Sequence, residues 1–438
     1  MHTISLQELR RRVYHKAKSE KSWRFWGMYV HICRMDTLME AYRIAKANDG
    51  SSGVDGQTFE DIEEEGLEKF LQEIQQELIR ESYEPQMNRQ VEIPKGDGKK
   101  MRQLSIPAIR DRVVQGAIKL ILEPIFEADF CDNTFGYRPK RSCAQTMHRV
   151  SGAVMKYKLT QIVDVDLSDY FNKIRHHILL AQVAKRINDG KVMKLLKQIL
   201  KVQGKIGVPQ GGPLSTLLAN LYMADVDRVF ENAEEKTQVE GRPRVQYTRY
   251  VDDIVIAVGE HPRWPNLKGH VLRRLREELD KLEVKINEEK TKVVDLLKGE
   301  SFTYLGFDCK LLTSPKGKKF LLRTPRLKKR KEMLEKIRQV LQKSGKRTTK
   351  ALIQKINPIL AGWVNYFRTG HATRTFQYVE LYVKSRLRRF AMRRRLRRGF
   401  GYKRWSDQVI YGEWGLFHDY KIRYYLPPDH RTLLPIGA

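Results

Sequence analysis

Acidic residues are in short supply: 52 Asp and Glu face 83 Lys and Arg, a formal charge of +31 over 438 residues. Such a surplus repels itself unless a polyanion is at hand, so nucleic acid is the expected partner ahead of a membrane. Long apolar runs are also missing. None approaches the roughly 18 residues of a membrane span, and MHTISLQELRRR at the N-terminus has basic residues but no hydrophobic segment behind them. A soluble intracellular protein is the expectation. Cysteine is rare, with four copies at Cys33, Cys131, Cys143 and Cys309 and no CxxC spacing, which speaks against a disulfide framework or a zinc site. They read as core thiols. No internal repeat is found. What remains, 41% hydrophobic and 31% charged, suffices for one large core or two to three modules.

The most informative stretch is QYTRYVDDIVIAV at 246–258, where two strand-like runs flank Tyr250-Val251-Asp252-Asp253 and leave space only for a tight turn. Two adjacent carboxylates at a hairpin tip repel each other unless a cation sits beside them, and hard oxygen ligands of this kind suit Mg²⁺. A plain acidic turn is the alternative, because Asp is a common turn residue. A second acidic run, QIVDVDLSDYF at 161–171, puts Asp164 and Asp166 on one face of a strand and Val163, Val165 and Leu167 on the other. If the two runs are neighbours, three carboxylates converge from two strands, enough for two divalent ions roughly 4 Å apart. The chemistry this suggests is phosphoryl transfer.

Along the rest of the chain, Leu38, Ala41, Tyr42 and Ala45 keep helical spacing behind Asp36 and Thr37 as a cap. The Gly- and Ser-rich loop 48–56 can either present N–H groups to phosphate or turn a corner. Residues 68–80 read as an amphipathic helix, and VEIPKGDGKKMRQLSIP as a hairpin turning at Gly96-Asp97-Gly98 with Lys95 and Arg102 near its tip. An amphipathic helix over 111–126 follows. FGYRPKR at 135–141 combines a turn, an aromatic pair and three cations that could lie along a template backbone. A helical run then reaches about Lys201, and GVPQGGPLS at 207–215 opens a helix over 216–228, with Gln210 free to hydrogen-bond what approaches. EVKI at 283–286 reads as a strand ahead of Asn287, Lys290 and Lys292, and FTYLGF as a strand ending at Gly306. From 321 to 405 there are about 26 Lys and Arg against three Glu, yet Leu334, Ile337, Leu341, Leu352, Ile356, Ile359 and Trp363 keep helical spacing. A small bundle of basic helices gripping a duplex is expected, broken at Asn357-Pro358. GFGYKRW at 399–405 interleaves aromatics and cations as a stacking surface does.

In order, IPKGDGKKMRQLSIP, FGYRPKRS, VDVDLSDYF, VPQGGPLSTLLAN, RYVDD, NEEKTK, YLGF and GWVNYF resemble the motifs of group II intron-encoded reverse transcriptase/maturase proteins, from about residue 35 to 425. The resemblance implies an α+β right-hand polymerase: an N-terminal extension over 1–60, fingers over 61–160, a palm with an antiparallel sheet and some fingers elements over 161–320, and an α-helical thumb/maturase domain over 321–405. A tail over 406–438, with no endonuclease domain recognised, completes it. By the same likeness Asp166, Asp252 and Asp253 are the catalytic aspartates, and with Leu167 they form the metal set for two Mg²⁺, Mn²⁺ being a substitute. Lys95 and Arg102 would grip the triphosphate, Phe171 would discriminate the sugar, Gln210 would contact the incoming nucleotide, and Lys290 or Lys292 would assist the leaving pyrophosphate. Asp164 is secondary. RNA template, DNA primer or duplex, deoxynucleoside triphosphates and group II intron RNA are the implied partners. Two alternatives stand beside RNA-directed DNA synthesis: a domesticated relative acting in DNA repair, and a maturase acting mainly by binding RNA. Val251 where Ala is usual, Thr216 where Pro is usual and a short link between VDVD and PQGG are this chain's departures.

Overall fold

Among the described residues, alternating side chains become three antiparallel sheets, and the helices between them fill the core. The structure, a computed structural model, describes residues 4–95, 100–202, 204–343, 345, 348–394, 399 and 401–425, with the side chains of Lys95 and Lys100 outside that set. Strands β1 (Arg89–Lys95) and β2 (Lys100–Ile106) pair from Arg89 opposite Ile106 to Lys95 opposite Lys100. The Gly96-Asp97-Gly98 turn lies outside the described residues.

The central sheet is built from β3 (Gln161–Asp166), β4 (Val245–Tyr250), β5 (Asp253–Val258) and β6 (Lys292–Asp295), in the spatial order β4-β5-β3-β6. Both of its faces are covered. On one, Val163, Val165, Tyr247, Ile254 and Ile256 join a large core that reaches the helix Ile109–Glu127 and the N-terminal residues Leu9, Val13, Leu38 and Tyr42. On the other, Ile162, Val255, Ala257 and Val294 meet the helix Cys143–Met155 and the third sheet. That sheet comprises β7 (Ser301–Tyr304), β8 (Phe307–Thr313) and β9 (Lys319–Pro325). The basic segment forms the helices Leu327–Gln342, Thr349–Phe367 and Thr373–Arg394, packed through Leu334, Ile337, Leu352, Ile356, Leu360, Val383 and Leu387. Among the described residues no helix is long and apolar enough to cross a membrane. All four cysteines are free, and all but the half-buried Cys143 are buried.

Several local expectations change. The helix Met35–Ala47 begins after Arg34 with no side-chain cap, and Asp36 and Thr37 lie inside its first turn, Thr37 wholly buried. Loop 48–56 turns its carbonyls inward: Gly50 accepts from Arg112 at 2.9 Å and Ser52 from Arg89 at 3.0 Å. The helix Ile109–Glu127 is buried on most sides, with Asp111, Arg112 and Gln115 inside, because the N-terminal helices cover the face that would otherwise meet water. The run after VDVD is three helices, Tyr170–Lys173, His176–Ala184 and Gly190–Lys201. The helix expected over 216–228 is two, Ser215–Tyr222 and Ala224–Lys236, parted at Met223. EVKI is not a strand: Glu283 takes φ 54°, only Ile286 forms a bridge, to Leu167, and the strand starts at Lys292. FTYLGF is a hairpin whose two-residue turn uses Leu305 at φ 47° and Gly306 at φ 78°, both positive as the tight primed turn requires. Finally, Thr349–Phe367 runs through Pro358 without ending. Asn357 there is tied across to the chain beyond, donating to the Gly415 carbonyl at 2.8 Å and accepting from the Phe417 amide at 2.9 Å.

Candidate active site

Register alone brings two of the acidic residues together, since Asp166 at the end of β3 is the cross-strand partner of Asp253 at the start of β5. Tyr250 pairs with Asp253, so Val251 and Asp252 form the whole turn between β4 and β5. The β3 ladder continues past Asp166 along residues 285–287: Asn287 N–H donates to the Asp166 carbonyl at 2.8 Å and Ser168 N–H to the Lys285 carbonyl at 2.9 Å. This places Lys290 beside the aspartates, its Nζ donating to Asp166 Oδ2 at 2.9 Å. Lys292 instead stands opposite Asp164 across β3 and β6.

Val251 holds φ 62°, in the left-handed region that a β-branched side chain enters only under strain. What holds it there is a fully buried ion pair. Arg249 Nε donates to Asp227 Oδ1 at 2.7 Å, and its Nη1 donates to Asn220 Oδ1 at 3.1 Å and to the Val251 carbonyl at 2.8 Å. Burial disfavours the Arg249 charge, yet the Asp227 carboxylate outweighs it and holds the guanidinium above its ordinary range. Asp227 also accepts from Thr134 and Tyr247 hydroxyls, both at 3.0 Å, and Asn220 Nδ2 donates to the Gly136 carbonyl at 2.7 Å. Gly136 is required at that point, because a Cβ there would lie 2.4 Å from Val251 Cγ2.

The loop 207–212 docks against the other motifs. Val208 N–H donates to the Phe171 carbonyl at 2.8 Å and Ser105 N–H to the Gln210 carbonyl at 2.9 Å. Gly211, at φ 136°, passes so near β2 that a Cβ would lie 2.5 Å from the Ser105 carbonyl oxygen. Tyr170 points into the core, its hydroxyl donating to Ala219 O at 2.5 Å, which leaves its half-buried neighbour Phe171 on the open side.

These pieces line one cleft of about 1410 Å³. Arg102, Phe171, Gln210, Asp166, Leu167, Asp252, Asp253 and Lys290 all border it. Lys95 falls outside the described side chains. Leu167 has a buried hydrocarbon side chain with no donor atom, and only its main-chain carbonyl could offer an oxygen. Asp164 does not border the cleft. Residues singled out less sharply by sequence join the wall: Tyr137, and from the basic helices Lys329, Lys336, Trp363 and Tyr366. Tyr366 ties the two sides, donating to the Leu305 carbonyl at 2.9 Å. Two of the three cations of FGYRPKR are otherwise engaged: Arg138 is buried against Glu127, with Nη2 at 2.7 Å, and Arg141 Nη2 donates to Asp132 at 2.6 Å.

The carboxylates crowd one another. Although Asp253 is exposed to the cleft, the protein mass around it, followed by the charges of Asp252, Asp164 and Asp166, raises its pKa to about 7. Burial, with the Asp166 charge adding to it and Lys292 opposing, also lifts Asp164 to about 7. Asp252 is raised too, mainly by burial, with Arg102 opposing. A site so short of positive charge is one that a divalent cation would relieve. Among the described residues no three Asp, Glu, His or Cys side chains are already placed to hold a metal ion, and the Lys290 ammonium sits on Asp166 instead.

This architecture, a mixed helix-and-sheet chain with an acidic hairpin facing a glycine loop across one cleft, fits a polymerase fold, and comparison with known proteins agrees. Residues 93–309 match the model for reverse transcriptase (RNA-dependent DNA polymerase), and residues 330–408 that for the group II intron maturase-specific domain. The chain belongs to the group II intron-encoded reverse transcriptase/maturase family, whose enzymatic class is RNA-directed DNA polymerase. It is 30% identical over 344 residues to protein YkfC of Escherichia coli K12, an alignment spanning 69% of this chain and 87% of that one. To the group II intron-encoded protein LtrA of Lactococcus lactis it is 31% identical over 284 residues, 62% of this chain but 43% of LtrA's length. An uncharacterised 91 kDa protein in the cob intron of Schizosaccharomyces pombe is 27% identical over 235 residues, covering 50% of this chain and 28% of that one.

Proposed function

We propose that this chain copies RNA into DNA on a primed template and also binds group II intron RNA. The observation that carries the reading is the convergence of Asp166, Asp252 and Asp253 on the cleft that Arg102, Phe171 and Gln210 also line. Residues 61–160 would be the fingers, 161–320 the palm and 321–405 the thumb. Asp166, Asp252 and Asp253, with the Leu167 carbonyl, would hold two Mg²⁺, which when bound supply activation of the primer 3′-hydroxyl and neutralisation of the triphosphate. Arg102, and Lys95 on the partner strand, would pair with the phosphates and offset the charge that develops on them. Lys290 would release Asp166 on substrate binding and donate to the leaving pyrophosphate. Phe171 would lie under the sugar and exclude a 2′-hydroxyl, while Gln210, pinned through its main chain to Ser105, would keep its side chain free for the incoming nucleotide. Catalysis is then mostly positioning.

The test is extension of a DNA primer on an RNA template with Mg²⁺. The wild-type chain should extend it. Asp252→Asn should abolish extension while template–primer affinity stays within about twofold, because a metal ligand is lost and no phosphate-binding cation is. Extension by Asp252→Asn near the wild-type rate would sink the assignment.

A further inference from the structure

The chain beyond the basic helices carries no motif, yet residues 415–425 are tied to both sides of the cleft. The helix Thr349–Phe367 presents Ile359, Trp363 and Tyr366 to the cleft, and this segment fastens it from outside at two points. At the first, Asn357 holds Gly415 and Phe417 through the pair of hydrogen bonds described above. The second is the helix's C-terminal cap, buried Arg368, about 16 Å further along the axis. Arg368 Nη2 donates to the Asp419 carbonyl at 2.6 Å and lies 3.0 Å from its carboxylate, and Arg423 N–H donates to the Arg368 carbonyl at 3.0 Å. Among the described residues Asp419 is the one acid that meets this guanidinium, so the segment cannot lift away without leaving a buried charge unpaired. The same segment reaches the sheet side. Phe417 and Tyr420 pack against the core of the basic helices and also against the core under the third sheet and the helix Cys143–Met155, and Ile422 packs against the latter alone. The Tyr425 ring then meets His148 of that helix edge-on, with centroids 5.6 Å apart.

We propose that residues 415–425 are a positioning strap. By fixing the helix Thr349–Phe367 to the helix Cys143–Met155 they keep the cleft from widening, and so set how long a primed template stays bound between nucleotide additions. The strap acts through the helix it holds, since none of its residues lines the cleft. The proposal rests on the reading that the cleft holds a primed template. Across the seam that the strap spans, His371 N–H donates to the Arg323 carbonyl of β9 at 2.6 Å, so the state of this bond reports whether the two sides stay together.

A strap has two ends, and freeing either should release the same motion. Asn357→Ala with Asp419→Ala frees it from the basic helix, and Ile422→Ala with Tyr425→Ala frees it from the sheet side. For each pair in the full chain, the measurements are dissociation of a labelled template–primer, nucleotides added per binding event in the presence of a competitor trap, and single-turnover addition of the first nucleotide. Each pair should speed dissociation at least about tenfold, equivalent to about 1.4 kcal/mol, and shorten the products of one binding event, while first addition stays within about twofold. All four substitutions together should dissociate within about twofold of either pair, because a strap cut at both ends loses what it lost at one. Asp419→Glu should behave as the wild type. Losses that multiply in the fourfold variant, or first addition that slows as much as dissociation quickens, would overturn the strap in favour of general destabilisation. If a pair fails to fold, Asp419→Asn decides by amide hydrogen exchange: exchange at His371 should quicken at least about tenfold while β4 and β5 keep the wild-type rate. Unchanged exchange at His371 would refute the strap. That readout needs no nucleic acid, so a wild-type chain that fails to extend a primer counts against the cleft reading, and exchange still decides this one.

Discussion

Arg249 offers the sharpest test of how the acidic turn is held. Arg249→Lys keeps a positive charge beside Asp227 but loses the fork that reaches both Asn220 Oδ1 and the Val251 carbonyl. A hydrogen bond from a charged donor contributes about 1.5–3 kcal/mol, and holding a residue such as Val251 in the left-handed region costs about 1–3 kcal/mol. With the carbonyl bond gone, little opposes the strain, the turn relaxes and Asp252 moves with it. If the lost bond is expressed in the transition state, single-turnover primer extension should slow about ten- to a hundredfold, while template–primer affinity holds. Adding Val251→Gly removes the strain and should recover about tenfold of the lost rate. A role confined to stability would lower the melting temperature and leave kcat alone, so a wild-type rate in Arg249→Lys would refute the reasoning. So would a glycine double variant that recovers nothing.

Three further outcomes are expected. Asp166→Asn should abolish extension, whereas Asp164→Asn, whose side chain lies off the cleft, should retain measurable activity; reversed sensitivities would mean the ligand is misassigned. Phe171→Ala should raise the ratio of rATP to dATP incorporation efficiency, and an unchanged ratio would move the sugar contact to another residue. Gly211→Ala would set a Cβ 2.5 Å from the Ser105 carbonyl and demand φ 136° of a side-chain-bearing residue, so KM for the nucleotide should rise at least about tenfold, a cost of about 1.4 kcal/mol. A KM within twofold of wild type would show that the loop's docking on β2 does not position Gln210.

The acidic hairpin was readable because its two signals are local: alternation in QIVDVD and QYTRYVDDIVIAV sets the strand faces, and the spacing leaves only a two-residue turn. What supports the hairpin was not readable. Arg249, Asp227 and Asn220 are polar residues whose burial depends on partners 22 and 29 positions away, and no periodicity marks such a meeting. Composition misled at FGYRPKR, where Arg138 spends its charge on Glu127 and not on solvent. Propensity misled at EVKI, since Glu283 turns at φ 54° and the segment meets the neighbouring strand only through the Lys285 carbonyl, which accepts from Ser168 N–H, and the single bridge of Ile286 to Leu167. Pro358 was read as a helix end, but the core contacts of Ile356 and Leu360 on either side outweigh one missing hydrogen bond. The bundle itself was legible from its apolar spacing despite the charge around it.

The pairing of Asp166 with Asp253 has a consequence for how such a chain can change over time. The separation of the two carboxylates is fixed by main-chain register, so it is counted in residues and not built from side-chain shapes. Substitutions at Val163, Val165, Ile254 or Ile256 alter packing and leave that count intact. A single inserted or deleted residue between 161 and 166, or between 253 and 258, would turn one acid to the opposite face of the sheet. Drift in this region is therefore free in identity and closed in length, and the room for insertion lies in the connections, such as the stretch from 236 to 245 that joins the helix Ala224–Lys236 to β4.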